Sequence, residues 1–230
     1  MAEVGGMALL DVDGLEIPPA IFTLEGFRAW YAALGSDAPR ASFVGGYVFV
    51  EMSPQNYHTH GPVVTAIHSV LTSLAIEQEL GMYHTPPSWF THVEHGLSTE
   101  PDGFFTSYAA LEAGRVGINA ERPIEMVGTP DMVLEVVSRT SRRKDEGELR
   151  RVYAAAGVSE YWLVDALGAS LSVQILQLTG DGSYRAAADD GDGWIPSRVW
   201  GRAFRLRGLV NRVGLAEYRL DVRPLGSPGG

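Results

Sequence analysis

Glu135 and Lys144 are the residues whose types and spacing first suggest chemistry. Both lie in PDMVLEVVSRTSRRKDEGELRRVYAAAGVSEYWLVDA, residues 130–166. Glu135 interrupts an apolar run, and Lys144 is the only lysine in the chain. If DMVLEVV is a strand, Asp131, Val133, Glu135 and Val137 share one face, and Met132, Leu134 and Val136 take the other. A carboxylate in a central strand is costly unless a cation, a proton or a strong donor meets it. An ion pair with Arg142 or Arg143 would meet that need structurally; a bound ion beside Lys144 would meet it chemically. Lys144 falls at the start of the following helix, where the macrodipole disfavours a cation by about 0.3–1 kcal/mol. Such a cation is either held there for use or is an ordinary solvated side chain.

Other chemistries fit less well. At ~3.3 Å per residue Asp131 lies roughly 13 Å from Glu135, too far for both to hold one ion. All six histidines fall between 58 and 95, including His58-Thr-His60 and His92-Val-Glu94-His95, which raises a zinc hydrolase. Their spacing matches no helical zinc motif, so hydrogen-bonded or surface imidazoles are the simpler reading. No glycine-rich phosphate loop and no Gly-x-Ser-x-Gly elbow is present. With no cysteine, disulfides, thiolate zinc sites and cysteine nucleophiles are excluded.

The elements that must position these groups follow from pattern. DMVLEVV, a basic loop, the helix ELRRVYAAA and EYWLVDA form a strand, helix, strand unit with near-continuous apolar strands, as buried parallel strands are. Leu149, Val152, Tyr153 and Ala156 share one helix face. Upstream, Thr23 caps a helix LEGFRAWYAAL that ends at Gly35. GGYVFVEMS alternates as a strand, and residues 60–80 carry apolar side chains at helical spacing up to Gly81. EPDGFF reads as a turn into a strand, and residues 111–129 as an irregular excursion. LSVQILQL and DGSYRAAADDGDGW suggest a hairpin, with a final strand around Phe204 and Leu206.

A chain of 230 residues with 45% hydrophobic content suits one folded unit. The expected division is a lead-in over 1–22, a single domain over 23–220 and a flexible tail over 221–230. No apolar run approaches the ~20 residues of a membrane span, and the acidic N-terminus does not resemble a secretory signal, so no membrane association and a cytoplasmic location are expected. The net charge of −10, with a pI near 5.0, counts against broad non-specific DNA binding. Two local basic groups soften that objection: Arg142, Arg143, Lys144, Arg150 and Arg151, and seven arginines between Arg198 and Arg223. Arg142, Arg143 and Arg150 are the candidate nucleic-acid contacts.

Taken together, PDMVLEVVS, the Ser/Arg loop, Asp145, Tyr153, AAAGVSEYWLVDA, and the upstream VEMSPQNYHTHG and EPDGFF resemble the Uma-type family of restriction endonucleases. That family lies within the PD-(D/E)XK nuclease superfamily, and the resemblance runs from about Leu24 to Leu206. It implies an α/β restriction-endonuclease-like core, a mixed twisted sheet flanked by the 60–80 helix on one face and the 145–156 helix on the other. It also implies Mg²⁺-dependent hydrolysis of DNA phosphodiesters, with Mn²⁺ as a substitute ion, and a possible homodimer. Asp102 matches the superfamily's first acid and Glu135 its second. Val137 stands where the in-strand lysine should be, and Leu149 where many family members carry it, so the lysine's role is assigned to Lys144. Asp102, Glu135 and the Val136 carbonyl would hold the metal, with Glu51 and His60 as supporting residues. The alternative is a catalytically degenerate nuclease fold kept as a nucleic-acid-binding or assembly module.

Overall fold

The computed structural model describes residues 10–12, 15–35, 39–51, 59–168 and 170–225. A short hairpin, β1 (Leu10–Val12) and β2 (Leu15–Ile17), leads through a 3-10 turn at Pro19–Phe22 into α1 (Leu24–Leu34). Thr23 caps this helix by accepting the Gly26 N–H at 3.1 Å, and Gly35 ends it with φ 76°, a conformation that glycine adopts without steric cost. The hairpin of β3 (Arg40–Val44) and β4 (Tyr47–Glu51) follows, then α2 (His60–Glu77). Next come β5 (Gly81–His84), β6 (Trp89–His92), β7 (Leu97–Thr99), β8 (Gly103–Ser107), α3 (Tyr108–Glu112), β9 (Val116–Ile118) and β10 (Glu125–Gly128). After β11 (Met132–Val136), a π-helical stretch at Lys144–Leu149 runs into α4 (Arg150–Ala155) and on to β12 (Glu160–Asp165). The chain closes with β13 (Ser172–Leu178), β14 (Tyr184–Ala186), β15 (Ile195–Ser197), β16 (Arg202–Val210) and β17 (Ala216–Pro224).

The central sheet has the order β14-β13-β12-β11-β8-β5. It is mixed: β11 and β12 are parallel, as a helical crossover requires, while β8 and β13 flank them antiparallel. The alternation along β11 divides the core. Met132, Leu134 and Val136 pack with Val63, Ile67 and Leu71 of α2. Val133 and Val137 pack on the other face with Leu149, Val152 and Tyr153. The two helices thus cover opposite faces, and Glu135 points toward the Lys144 helix.

A second six-stranded sheet, β4-β3-β7-β6-β10-β9, adds Val44, Phe90, Leu97 and Met126 to the Tyr153 side of the core. Seven of the nineteen residues 111–129, expected to be irregular, form β9 and β10 in this sheet. Their pieces are only three and four residues long, too short to show a period.

Both ends also depart from expectation. Ile21 is fully buried against Phe27, Phe43 and Trp89, so the expected loose lead-in is anchored at its end. The strand through Phe204 and Leu206 is not the last: β17 pairs with it along its whole length, from Arg202↔Pro224 to Val210↔Ala216. This carries paired structure into the segment expected to be a flexible tail, of which 226–230 lie outside the described residues. Among the described residues, no helix is long and apolar enough to cross a membrane.

Candidate active site

Glu135 is 3% exposed, and its partners set it apart from other buried acids in the chain. Glu125 accepts from Thr91 at 2.6 Å, Arg28 at 2.7 Å and Asn119 at 2.6 Å. Glu160 accepts from Ser197, Trp162 and the main-chain N–H groups of Arg198 and Val199. Both are satisfied structural carboxylates. Glu135 receives the Tyr153 hydroxyl at 2.9 Å and lies in the field of Lys144, while Arg142, one of its two alternative ion-pair partners, is held by Glu146 and Asp165. Burial raises its carboxyl well above the usual range, and the pull of Lys144 does not offset it. It is an acid short of positive charge.

Asp102 arrives from the turn before β8. The following Gly103 makes room: a Cβ there would lie 2.3 Å from the Tyr83 hydroxyl. His68 fixes the Asp102 main-chain oxygen at 2.7 Å. Its carboxylate Oδ2 accepts the Val136 N–H at 2.8 Å and faces His60 Nε2 at 3.0 Å, and Oδ1 accepts from Arg40 at 3.2 Å. Burial opposes its charge, but His60, Arg40 and the Val136 N–H outweigh that and hold it well below the ordinary range. The same contact raises His60 despite its own burial. The Val136 N–H thus ties Asp102 to the strand that carries Glu135, and both acids line one cavity.

Lys144 does not behave as a solvated helix-start residue. It is 3% exposed, with Nζ 2.5 Å from Glu51 on β4 and 3.7 Å from Asp145 Oδ1. Its burial would lower its pKa, but Glu135, Asp145 and Glu51 together raise it, so it stays charged. The π-helical turn at Lys144–Leu149 buries two consecutive residues, Lys144 and Asp145; such turns recur at functional sites. Asp145 accepts from Ser141, while Oδ1 has no hydrogen-bond partner. Its burial raises its pKa to about 7. Leu149 is fully buried in the core.

A cavity of about 10 Å³ for the centre of a water-sized occupant lies among Arg40, Glu51, His60, Asp102, Glu135, Val136, Ser138, Ser141 and Lys144. That is room for roughly one water or one ion. All of the expected catalytic, metal and supporting residues line it. Arg40, Ser138 and Ser141 were not foreseen, nor were Tyr153 and Asp145 as partners of the acid and the lysine.

The basic residues divide differently. Arg142 is held by Glu146 and Asp165, each at 2.6 Å, so it is less free for a phosphate than expected. Arg143 is exposed, and Arg150 donates to the Tyr184 carbonyl. Of the arginines between 198 and 223, Arg205, Arg207 and Arg219 surround Asp221, and Arg223 pairs with Asp190. Much of that basic stretch is consumed inside its own hairpin.

Among the described residues, no three His, Cys, Asp or Glu side chains converge as a metal cage. His60 and His68 meet Asp102, His84 meets Thr106, and the rings of His92 and His95 touch. His58 lies outside the described residues.

Asp131 accepts the Ser107 N–H and Arg115, each at 2.6 Å, and does not line the cavity. Asp131→Asn is therefore expected to cost about 1–3 kcal/mol of stability and to change any cleavage rate only a few-fold. Denaturant melts beside a cleavage assay check this, and a complete loss of cleavage in a folded variant would show that Asp131 belongs to the site.

No curated protein matches the chain. A solved structure described as a "putative nuclease belonging to DUF820", from Anabaena variabilis, is similar to it with a TM-score of 0.56 and 18% identity, over 77% of this chain and 90% of that one. At that identity the likeness speaks for the fold, which is the restriction-endonuclease-like arrangement of a mixed twisted sheet between helices. The model of the Uma2 family, described as "Putative restriction endonuclease", matches residues 24–207, and the chain belongs to that family.

Proposed function

We propose that the protein is a metal-dependent endonuclease that hydrolyses DNA phosphodiester bonds at the cavity between Asp102, Glu135 and Lys144. The observation that carries this reading is Glu135, a buried carboxylate with a single hydroxyl donor among the described residues, beside a cavity of ionic size. Around it stand the carboxyl groups of Glu51, Glu100, Asp102 and Asp145, against the cations Arg40 and Lys144 and the imidazole of His60. Such an excess of carboxyl groups over cations, with carboxylate and carbonyl oxygens as the candidate ligands, fits a hard divalent cation. Mg²⁺ is commonly held by one or two carboxylates, waters and substrate phosphate, with no closed protein cage.

Asp102, Glu135 and the Val136 carbonyl would hold Mg²⁺, or Mn²⁺ in its place. The bound ion would supply Lewis acidity for the phosphate and a water of lowered pKa. The chain's own residues do the rest. His60 and the Val136 N–H fix Asp102, and Tyr153 fixes Glu135. Glu51 holds the Lys144 ammonium at the cavity, where it can orient the attacking water or meet charge developing on a phosphate oxygen. Arg143 and Arg150, with no carboxylate partner among the described residues, are the better placed phosphate contacts of the three arginines; Arg142 would first have to leave two ion pairs.

One observation favours a degenerate binding module: Arg40, His60 and the Val136 N–H already satisfy Asp102 without any ion. Incubation with single- and double-stranded DNA in Mg²⁺, Mn²⁺ or a chelator separates the two readings. Cleavage with either ion and none with the chelator is the expected result. Binding of DNA with no cleavage in either ion would establish the module instead.

A further inference from the structure

Arg40 is the cation that neither the strand pattern nor the basic loop pointed to. It opens β3 directly across from Glu51 in the β3–β4 ladder. Among the cations lining the cavity, Lys144 has a side chain 3% exposed and Arg40 one 26% exposed, so Arg40 stands at the rim, where substrate must approach. Its guanidinium is anchored on one edge by Glu100, through the main-chain oxygen at 2.8 Å and Oε1 at 3.6 Å. Only Nη1 reaches Asp102.

The donors on Asp102 are unequal in mobility. Those on Oδ2 are a strand N–H and a buried imidazole, neither of which can leave without disturbing β11 or α2. The donor on Oδ1 is the tip of a flexible side chain. A divalent ion reaching Oδ1 would meet a guanidinium 3.2 Å from the same oxygen, and like charges in a partly buried site repel strongly. The released fork is planar, permanently charged and suited to two oxygens of a phosphate.

We propose that Arg40 is an exchangeable clamp: it neutralises Asp102 in the metal-free protein and moves to the scissile phosphate when an ion takes Oδ1. This rests on the metal-dependent nuclease reading and adds to it the order of events. The ion and the nucleic acid then strengthen each other's binding, because the group displaced by one is recruited by the other.

Arg40→Gln and Arg40→Lys test this, with Mn²⁺ affinity measured by calorimetry without DNA, and cleavage measured separately. Arg40→Gln is expected to tighten Mn²⁺ binding about fivefold or more, since the competing cation is gone, and to lower kcat/KM for DNA at least about tenfold. If Arg40 merely props Asp102, the same variant weakens Mn²⁺ binding or leaves it unchanged, and either result overturns the clamp. Should the glutamine variant fail to fold, the lysine variant decides alone. Its single-point cation should release Asp102 more readily and grip phosphate less well, tightening Mn²⁺ about twofold while raising KM; no change in both overturns the proposal. A parent protein that binds no Mn²⁺ at all would instead remove the nuclease reading on which the clamp stands.

Discussion

Replacing Glu135 with glutamine is expected to abolish metal-dependent cleavage, by about 10²–10³-fold or more, while leaving the metal-free protein at least as stable as its parent at pH 8. The two halves have one cause. Glutamine keeps the volume and still offers an oxygen to the Tyr153 hydroxyl, so packing around the 3% exposed side chain is preserved. It removes a charge that burial disfavours. The folded-state pKa of Glu135 is raised, so its contribution to stability is full below the unfolded pKa and is lost as pH rises through the folded one. A neutral side chain has no such loss. A gain of 1 kcal/mol would appear as roughly 2–4 °C in a chain of this size. Melts of both proteins from pH 5 to pH 8, with chelator, check the sign: the curves should separate in favour of the variant as pH rises. Undiminished cleavage by a folded Glu135→Gln protein would remove Glu135 from the site.

Lys144→Met carries the second large effect, and here stability and rate fall together. The ammonium is buried among Glu51, Glu135 and Asp145, and removing one partner of a buried pair costs about 3–5 kcal/mol when the other charge stays. Glu135 and Asp145 can take protons instead. With Lys144 gone the folded pKa values of these two rise further, so the destabilisation should be largest near pH 8 and shrink toward pH 5. Cleavage, assayed well below the variant's melting temperature, should fall about 10²-fold or more with little change in DNA affinity. A loss of affinity with unchanged turnover would make Lys144 a phosphate contact. A pH-independent melt would contradict the buried cluster.

The parts of this account readable from sequence are those set by local period. Alternation in 131–137 put Glu135 on one face with Val133 and Val137 and left Met132, Leu134 and Val136 on the other, and helical spacing put Leu149, Val152 and Tyr153 on a single helix face; which face meets which helix came from the fold. Asp131 could be set aside because strand rise is fixed. What escaped depends on partners far apart in the chain. Nothing near Lys144 signals burial, because its counter-ion Glu51 is 93 residues away. Nothing near Arg40 marks it as part of a site, because Asp102 is 62 residues distant. The arginines beyond 198 read as a possible nucleic-acid patch because only the pairing of β16 with β17 brings Arg205, Arg207 and Arg219 around Asp221. Motif resemblance supplied Asp102, which no local period would have singled out.

The most direct test of the central claim is the position of Mn²⁺ in crystals of the protein, located by its anomalous scattering. One peak is expected roughly 2.1 Å from carboxylate oxygens of both Asp102 and Glu135, with Arg40 turned away from Asp102, and no peak there in Glu135→Gln. An ion bound elsewhere, or a cavity that takes no Mn²⁺ while Arg40 stays on Asp102, would contradict it.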